Sequence, residues 1–207
     1  MSRVAEHWQQ VHGRAPNEHD VDHMYTSFTP KQIAVITEYS ELIPGVEEAV
    51  QALRERGLKI GSCTGFTQEM MKPLLPEVAK QGYTPDALVC PDDVGGGRPQ
   101  PWMCFENMRR LGVYPSEAVV KIGDTPVDVQ EGLNAGMWTI GLAKTGNEVG
   151  LALDTWQTLA PEAQSQKLAT AYNRLRQAGA HYVVDSLADV VPILDTIEAR
   201  LAKGQKP

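Results

Sequence analysis

Two carboxylates four residues apart, Asp124 and Asp128, stand in the stretch KIGDTPVDVQEGLNAGMWTIGL that runs from Lys121 to Leu142. Hard oxygen ligands at a rigid strand end suit Mg²⁺, which keeps several waters and takes few protein carboxylates. Alone, the two admit a plainer account in which Asp128 complements a helix dipole and Asp124 ends a strand. Two further groups precede them. Thr64-Gly65 offers a hydroxyl and backbone N–H groups beside a helix start, which can bind phosphoryl oxygens. Arg98, behind Gly95-Gly96-Gly97, offers a cation on a flexible loop that can neutralise them. Taken singly, Thr64 reads as a turn residue and Arg98 as a surface charge. In this order the three groups make up most of a phosphoryl-transfer site.

The elements that must position these groups follow from hydropathy pattern. Val119, Val120 and Ile122 close an apolar run of the kind that forms a strand buried on both faces. Pro126 suits a first helical turn, and Gly136 can take a left-handed C-terminal position before the next strand, 137–142. Both carboxylates therefore fall at the C-terminal end of a parallel sheet, where open α/β sheets place their chemistry. Upstream, the pattern predicts a helix ending at Gly57, a strand over 58–63 and a helix capped by Thr67. A short strand over 87–90, the loop PDDVGGGRPQPW and a helix over about 101–111 follow. Downstream come a polar helical region to Gly179, a strand over 181–184 and a C-terminal helix begun by Ser186 and Asp189. Strands alternating with helices call for a parallel sheet with right-handed crossovers.

The first forty residues read differently, as helices without a strand. Val4, Trp8 and Val11 recur at helical spacing. Asn17 caps a second helix that carries Val21, Met24, Tyr25 and Phe28, and Thr29-Pro30 opens a third. His7, His12, His19 and His23 read as solvated helix faces, although His19 and His23 stand at a spacing that two metal ligands could use.

With 207 residues the chain can bury the core of one α/β domain and a modest appendage. A formal net charge of −7 without any Lys/Arg run speaks against nucleic acid and anionic membranes as partners. Cys63, Cys90 and Cys104 show neither CxxC nor Cys/His spacing and fit reduced, mostly buried thiols. No signal peptide and no apolar run of membrane length is present, so a cytoplasmic location is expected.

The order TG, then Arg98, then GDxxxD resembles motifs two, three and four of the haloacid dehalogenase-like hydrolases. More narrowly, KIGSCTGFTQEMM, GYTPDALVCPDDVGGGRPQPWMCFENMRRLGVYP and KIGDTPVDVQEGLNAGMWTIG are similar to the phosphonoacetaldehyde hydrolases, with GRPQPWM the most specific part. The resemblance implies an α/β fold, a parallel-sheet Rossmann-like core with a helical cap inserted early. It implies Mg²⁺-dependent hydrolysis of the P–C bond of phosphonoacetaldehyde to acetaldehyde and phosphate, and a homodimer. A cap lysine forms a Schiff base with the aldehyde in this family, and a core aspartate attacks phosphorus.

Carried over by motif, Asp124 is the Mg²⁺ ligand and Asp128 its outer partner. Thr64 and the Gly65 N–H hold the phosphonyl group, and Arg98 supplies positive charge. Phe66 stands where the family often has tyrosine and offers no hydroxyl. The family's first strand, ending in a D-x-A-G-T type motif with the nucleophile, has no counterpart here. None of Lys31, Lys59, Lys72, Lys121 or Lys144 matches the Schiff-base motif, and all read as solvated or strand-edge lysines. Residues 1–41 are then expected to be the remainder of the cap and 42–207 a core lacking its central strand, with Met1 internal to a longer parent. The missing strand belongs between those leading to Thr64 and to Asp124, which leaves two inner edges unpaired. Two other readings stand beside this one: a phosphomonoester phosphatase of the same superfamily, and a non-catalytic Mg²⁺- or phosphate-binding remnant.

Overall fold

The computed structural model describes residues 3–207, so Met1 lies outside the described residues, as do the side chains of Val4 and Tyr25. The chain opens with helices α1 (Arg3–His12) and α2 (Glu18–Val35) and a 3₁₀ turn, Ile36–Tyr39. The Asn17 cap forms as expected: its side chain accepts from the Asp20 N–H while the Asp20 carboxylate accepts from the Asn17 N–H. No third helix starts at Thr29-Pro30; α2 runs straight through Pro30. Proline there deprives the Thr26 carbonyl of its N–H donor, and Thr26 is exposed, so solvent can replace the lost partner. Val11 and Phe28 are also exposed, as are all four N-terminal histidines.

From there helices and strands alternate: α3 (Val46–Glu55), β1 (Gly61–Cys63), α4 (Gln68–Lys80), β2 (Ala87–Val89), α5 (Pro91–Val94), α6 (Trp102–Leu111) and β3 (Val120–Gly123). Then come α7 (Pro126–Asn134), β4 (Trp138–Leu142), α8 (Leu153–Thr158), α9 (Pro161–Gln177), β5 (Tyr182–Val184) and α10 (Val191–Leu201). Thr67 caps α4 by accepting from the Met70 N–H, and Gly136 takes φ +69° after α7. Several boundaries differ from the sequence reading: Ser186 and Asp189 cap a 3₁₀ turn, Leu187–Asp189, and α10 starts after it. β1 is half the expected length: the Ile60 N–H is taken by the Asp86 carboxylate, and the Ile60 carbonyl accepts from the N–H groups of Asp86 and Ala87, where β2 begins. The segment read as one loop contains the turn of helix α5, where Asp93 accepts from the Cys90 N–H.

All pairings are parallel: β1 with β2, β3 with β4, and β4 with β5. Along β4, Trp138 and Ile140 point to one face, packed with Leu53 of α3 and Leu194 and Ile197 of α10. The opposite face is covered by Val129 of α7 and Ala171 and Leu175 of α9. Helices on both faces are what a parallel sheet requires. The sheet is divided, however, into a two-stranded part, β1–β2, and a three-stranded part, β3–β4–β5. The division falls between the strand leading to Thr64 and the strand leading to Asp124, the place where the resemblance implies a further strand. Side chains from α6 and from the turn after α7 span it: Cys104, Ala135 and Met137 pack with Cys63 and Val119.

One titratable group away from this division sets a pH response. The Thr139 N–H donates to His181 Nδ1 at 3.1 Å, and the His181 N–H donates to Thr139 Oγ1 at 3.1 Å. This arrangement needs neutral imidazole, and burial followed by the Arg200 charge holds the His181 pKa below its ordinary value. The unfolded chain then takes up the proton first. The contribution to stability is complete above about pH 6.5 and is lost as pH falls through that value toward the depressed one. Urea midpoints measured at about pH 7.5 and about pH 5.5 should therefore fall more in the parent than in His181→Asn, whose side-chain oxygen can still accept from Thr139. Equal falls would remove His181 as the cause.

Candidate active site

The C-terminal ends of β1 and β3 face the division in the sheet, and the residues singled out by their chemistry gather there. Asp124 follows β3, with Oδ2 accepting from both the backbone N–H and the side-chain Nδ2 of Asn147, each at 2.8 Å. Its Oδ1 carries no hydrogen bond from the described residues. Asp128, in the first turn of α7, is the reciprocal partner of the Thr125 cap: its Oδ2 accepts from the Thr125 N–H at 3.1 Å and the Thr125 hydroxyl at 2.5 Å. Gly123 is required at the strand end, since a Cβ there would lie 2.3 Å from the Asp128 Cβ.

Arg98 ties the two halves of the sheet together. One terminal nitrogen, Nη1, lies 3.0 Å from Asp128 Oδ1, and Nη2 donates to the Cys63 carbonyl at 2.8 Å. Its Nε stands 3.4 Å from Glu131 Oε2 without forming a hydrogen bond. Thr64 follows Cys63 at the end of β1, where its Oγ1 accepts from the Phe66 N–H at 3.1 Å. Gly65 is exposed at the turn before α4. The structure thus brings Arg98 and Asp128 into direct contact, places Thr64-Gly65 one residue beyond the carbonyl that Arg98 holds, and sets Asp124 at the end of the neighbouring strand.

Sequence reasoning missed the groups beneath them. Lys121, read as solvated or strand-edge, has a side chain only 9 % exposed, and its Nζ donates to Glu131 Oε2 at 2.5 Å. The other four lysines considered are exposed. Burial alone would pull the Lys121 pKa down; negative charge at Cys63 and Glu131 outweighs it, and the net direction is up. The thiol of Cys104 donates to Cys63, and that bond, with the Lys121 charge, outweighs burial and brings Cys63 to about 7. Cys104, the donor and itself buried, moves up. The available signal was a lone lysine between Val120 and Ile122 in a doubly buried strand, with a glutamate on the following helix.

Mg²⁺ is the metal implied by the resemblance, and the donor set tests it. Asp124 Oδ1 is the carboxylate oxygen left open, whereas both Asp128 oxygens are engaged by Thr125 and Arg98. One carboxylate oxygen with remaining positions for water and phosphoryl oxygens is a set Mg²⁺ accepts. Asp124 fits as a direct ligand and Asp128 as a group that orients the cation Arg98.

A family model for haloacid dehalogenase-like hydrolases matches residues 2–136, and a second, HAD-hydrolase-like model matches 96–190. The phosphonoacetaldehyde hydrolase of Nitratidesulfovibrio vulgaris is 48% identical over 207 residues, 100% of this chain and 74% of that protein. The protein of the same name from Paraburkholderia phytofirmans is 43% identical over 207 residues, covering 100% of this chain and 78% of its own length. The crystal structure of a phosphonoacetaldehyde hydrolase-like protein from Oleispira antarctica superimposes with a TM-score of 0.92 at 41% identity, over 99% of this chain and 74% of that one. On these matches the chain belongs to the phosphonoacetaldehyde hydrolase family of haloacid dehalogenase-like hydrolases.

Proposed function

We propose that this site serves hydrolysis of the P–C bond of phosphonoacetaldehyde, giving acetaldehyde and phosphate, with Mg²⁺ held by Asp124. The observation that carries the reading is Arg98, held at the junction of β1 and α7 by Asp128 and the Cys63 carbonyl, between Thr64-Gly65 and Asp124. A dianionic phosphonyl group bound there would meet the Gly65 N–H and Thr64 hydroxyl from one side and the guanidinium from the other. Mg²⁺, when bound, supplies charge neutralisation at the phosphonyl oxygens. Asp128 keeps Arg98 oriented and its charge balanced while the substrate is absent. The names of relatives at 43–48% identity support the phosphonate substrate over a phosphate ester.

The same reading includes what residues 1–207 do not supply. No attacking carboxylate follows β1 or β3 other than Asp124 and Asp128, and the lysines other than Lys121 are solvated. We place the nucleophile on a strand filling the division between β1 and β3, and the Schiff-base lysine on the helical cap, of which residues 1–41 form part. The 207 residues alone then bind phosphate and Mg²⁺ without turning over phosphonoacetaldehyde.

Calorimetry with inorganic phosphate and Mg²⁺ tests the binding half of the proposal. Asp124→Asn should weaken Mg²⁺ binding by at least the roughly 10–100-fold that loss of even an outer partner costs a metal site. Arg98→Ala should weaken phosphate about 10–100-fold, the scale of one charged hydrogen bond, and leave Mg²⁺ affinity largely intact. Normal Mg²⁺ binding by a folded Asp124→Asn would remove the metal assignment.

A further inference from the structure

Beside the phosphoryl groups lies a second cluster that the proposed reaction does not use. Cys63 at the end of β1, Cys104 on α6 and Glu131 on α7 come together so that their Sγ atoms and a carboxylate oxygen all lie within 4.8 Å of one another. Cys104 and Glu131 are buried, Glu131 completely. Lys121 occupies Glu131 Oε2, while Glu131 Oε1 accepts no hydrogen bond, which makes it the orphaned buried carboxylate oxygen among the described residues. Asn107 Nδ2 donates to Cys63 Sγ at 3.2 Å, which fixes the direction of that sulfur. A fully buried acceptor without a donor is costly unless something fills the position.

We propose that Cys63, Cys104 and Glu131 form a binding site for a borderline-soft divalent cation, of which Zn²⁺ is the type, separate from the Mg²⁺ site at Asp124. Two thiolates and one carboxylate oxygen are a three-ligand set that Zn²⁺ takes in tetrahedral geometry, the fourth position going to water or a solute. At the usual bond lengths, tetrahedral ligands stand about 3.5–3.8 Å apart, so the cluster closes by about 1 Å at most. Binding releases the protons that the two thiols still carry and forms two S–metal bonds and one O–metal bond, with no change of oxidation state. Charge balance is preserved. Glu131 and Asp128 offset Lys121 and Arg98 in the metal-free cluster, and two thiolates against one divalent cation carry the same net charge as two neutral thiols. Mg²⁺ does not compete, because thiolates are poor partners for a hard cation.

The probe is Co²⁺ added to the reduced full chain in excess Mg²⁺, followed by Zn²⁺. One equivalent should give a thiolate-to-cobalt charge-transfer band, and one equivalent of Zn²⁺ should abolish it. Cys63→Ala and Cys104→Ala should each weaken Co²⁺ about 100-fold or more, whereas Cys90→Ala, a thiol outside the cluster, should leave the band intact. Circular dichroism checks folding, and Cys104→Ser replaces Cys104→Ala should the latter unfold. Absence of the band in the reduced parent overturns the proposal. So does a band that survives in folded Cys63→Ala, or one that disappears with Cys90. None of these readouts depends on turnover, so the outcome stands apart from the proposed hydrolysis.

Discussion

Replacing Lys121 with methionine is expected to cost about 3–5 kcal/mol of folding stability, the scale for removing one partner of a buried ion pair. The ammonium is the donor that holds Glu131 Oε2, at 2.5 Å, and it lies 3.7 Å from Asp128 Oδ1. Glu131 is completely buried, and its second oxygen is already without a donor. Without Lys121 its charge faces only Arg98, whose Nε stands 3.4 Å away and which is also committed to Asp128 and the Cys63 carbonyl. Removing both charges is a different matter. Lys121→Met with Glu131→Leu replaces the pair with apolar groups and should recover most of the loss, since such exchanges are often neutral or stabilising. Urea unfolding of the parent, the two single variants and the double variant forms a complete cycle. A loss below about 1 kcal/mol for Lys121→Met, or a double variant no more stable than the worse single one, would show that the pair does not hold the slot together.

The reason this pair escaped the sequence reading is instructive beside what was legible. The α/β alternation was readable because each element has a local cause: the apolar run before Asp124, Pro126 at the first turn of α7, Gly136 at φ +69° and Thr67 as the cap of α4. Asp124, Asp128, Thr64 and Arg98 were visible as residues because they fall in the segments that follow β1, β2 and β3 in a recognisable order. Their mutual contacts were not. Arg98 reaches Asp128 and Cys63 across the division in the sheet, a geometry set by how α6 and the glycine loop pack and not by local spacing. The same holds for Cys63, Cys104 and Glu131, which are far apart in sequence and meet only when α6 and α7 cover the same slot. Proline misled in the other direction. Thr29-Pro30 has the form of a helix start, yet exposure of Thr26 lets α2 continue through it.

The division between β1 and β3 also has a consequence for the isolated chain. Each of these strands presents an edge to the other without a ladder between them, and unpaired edges invite pairing with another strand. A chain supplied with the strand that fills this position should be more stable and less prone to associate than residues 1–207 alone. No helix among the described residues is long and apolar enough to cross a membrane.

Catalysis should separate the two forms even more sharply. On the proposed reading Thr64, Gly65, Arg98 and Asp124 hold a dianionic group and a metal, but holding a substrate is not attack on phosphorus. Asp128 cannot substitute for the nucleophile, because both its oxygens are committed to Thr125 and Arg98. Lys121 cannot serve as the imine-forming amine, because its Nζ is buried against Glu131 and carries a raised pKa, whereas imine formation needs a free neutral amine. On the proposed reading, nucleophile and imine-forming lysine each carry a whole chemical step, so binding without them is expected to yield no useful rate. The direct measurement is release of acetaldehyde from phosphonoacetaldehyde at saturating Mg²⁺. It compares purified, mass-verified residues 1–207 with the same chain extended at its N-terminus by a strand ending in D-x-A-G-T and a cap lysine, each with a borohydride trap for an enzyme–substrate imine. The account predicts acetaldehyde and a trapped imine from the extended chain and neither from residues 1–207. Steady acetaldehyde release by residues 1–207, with a trapped lysine among those present, would contradict it.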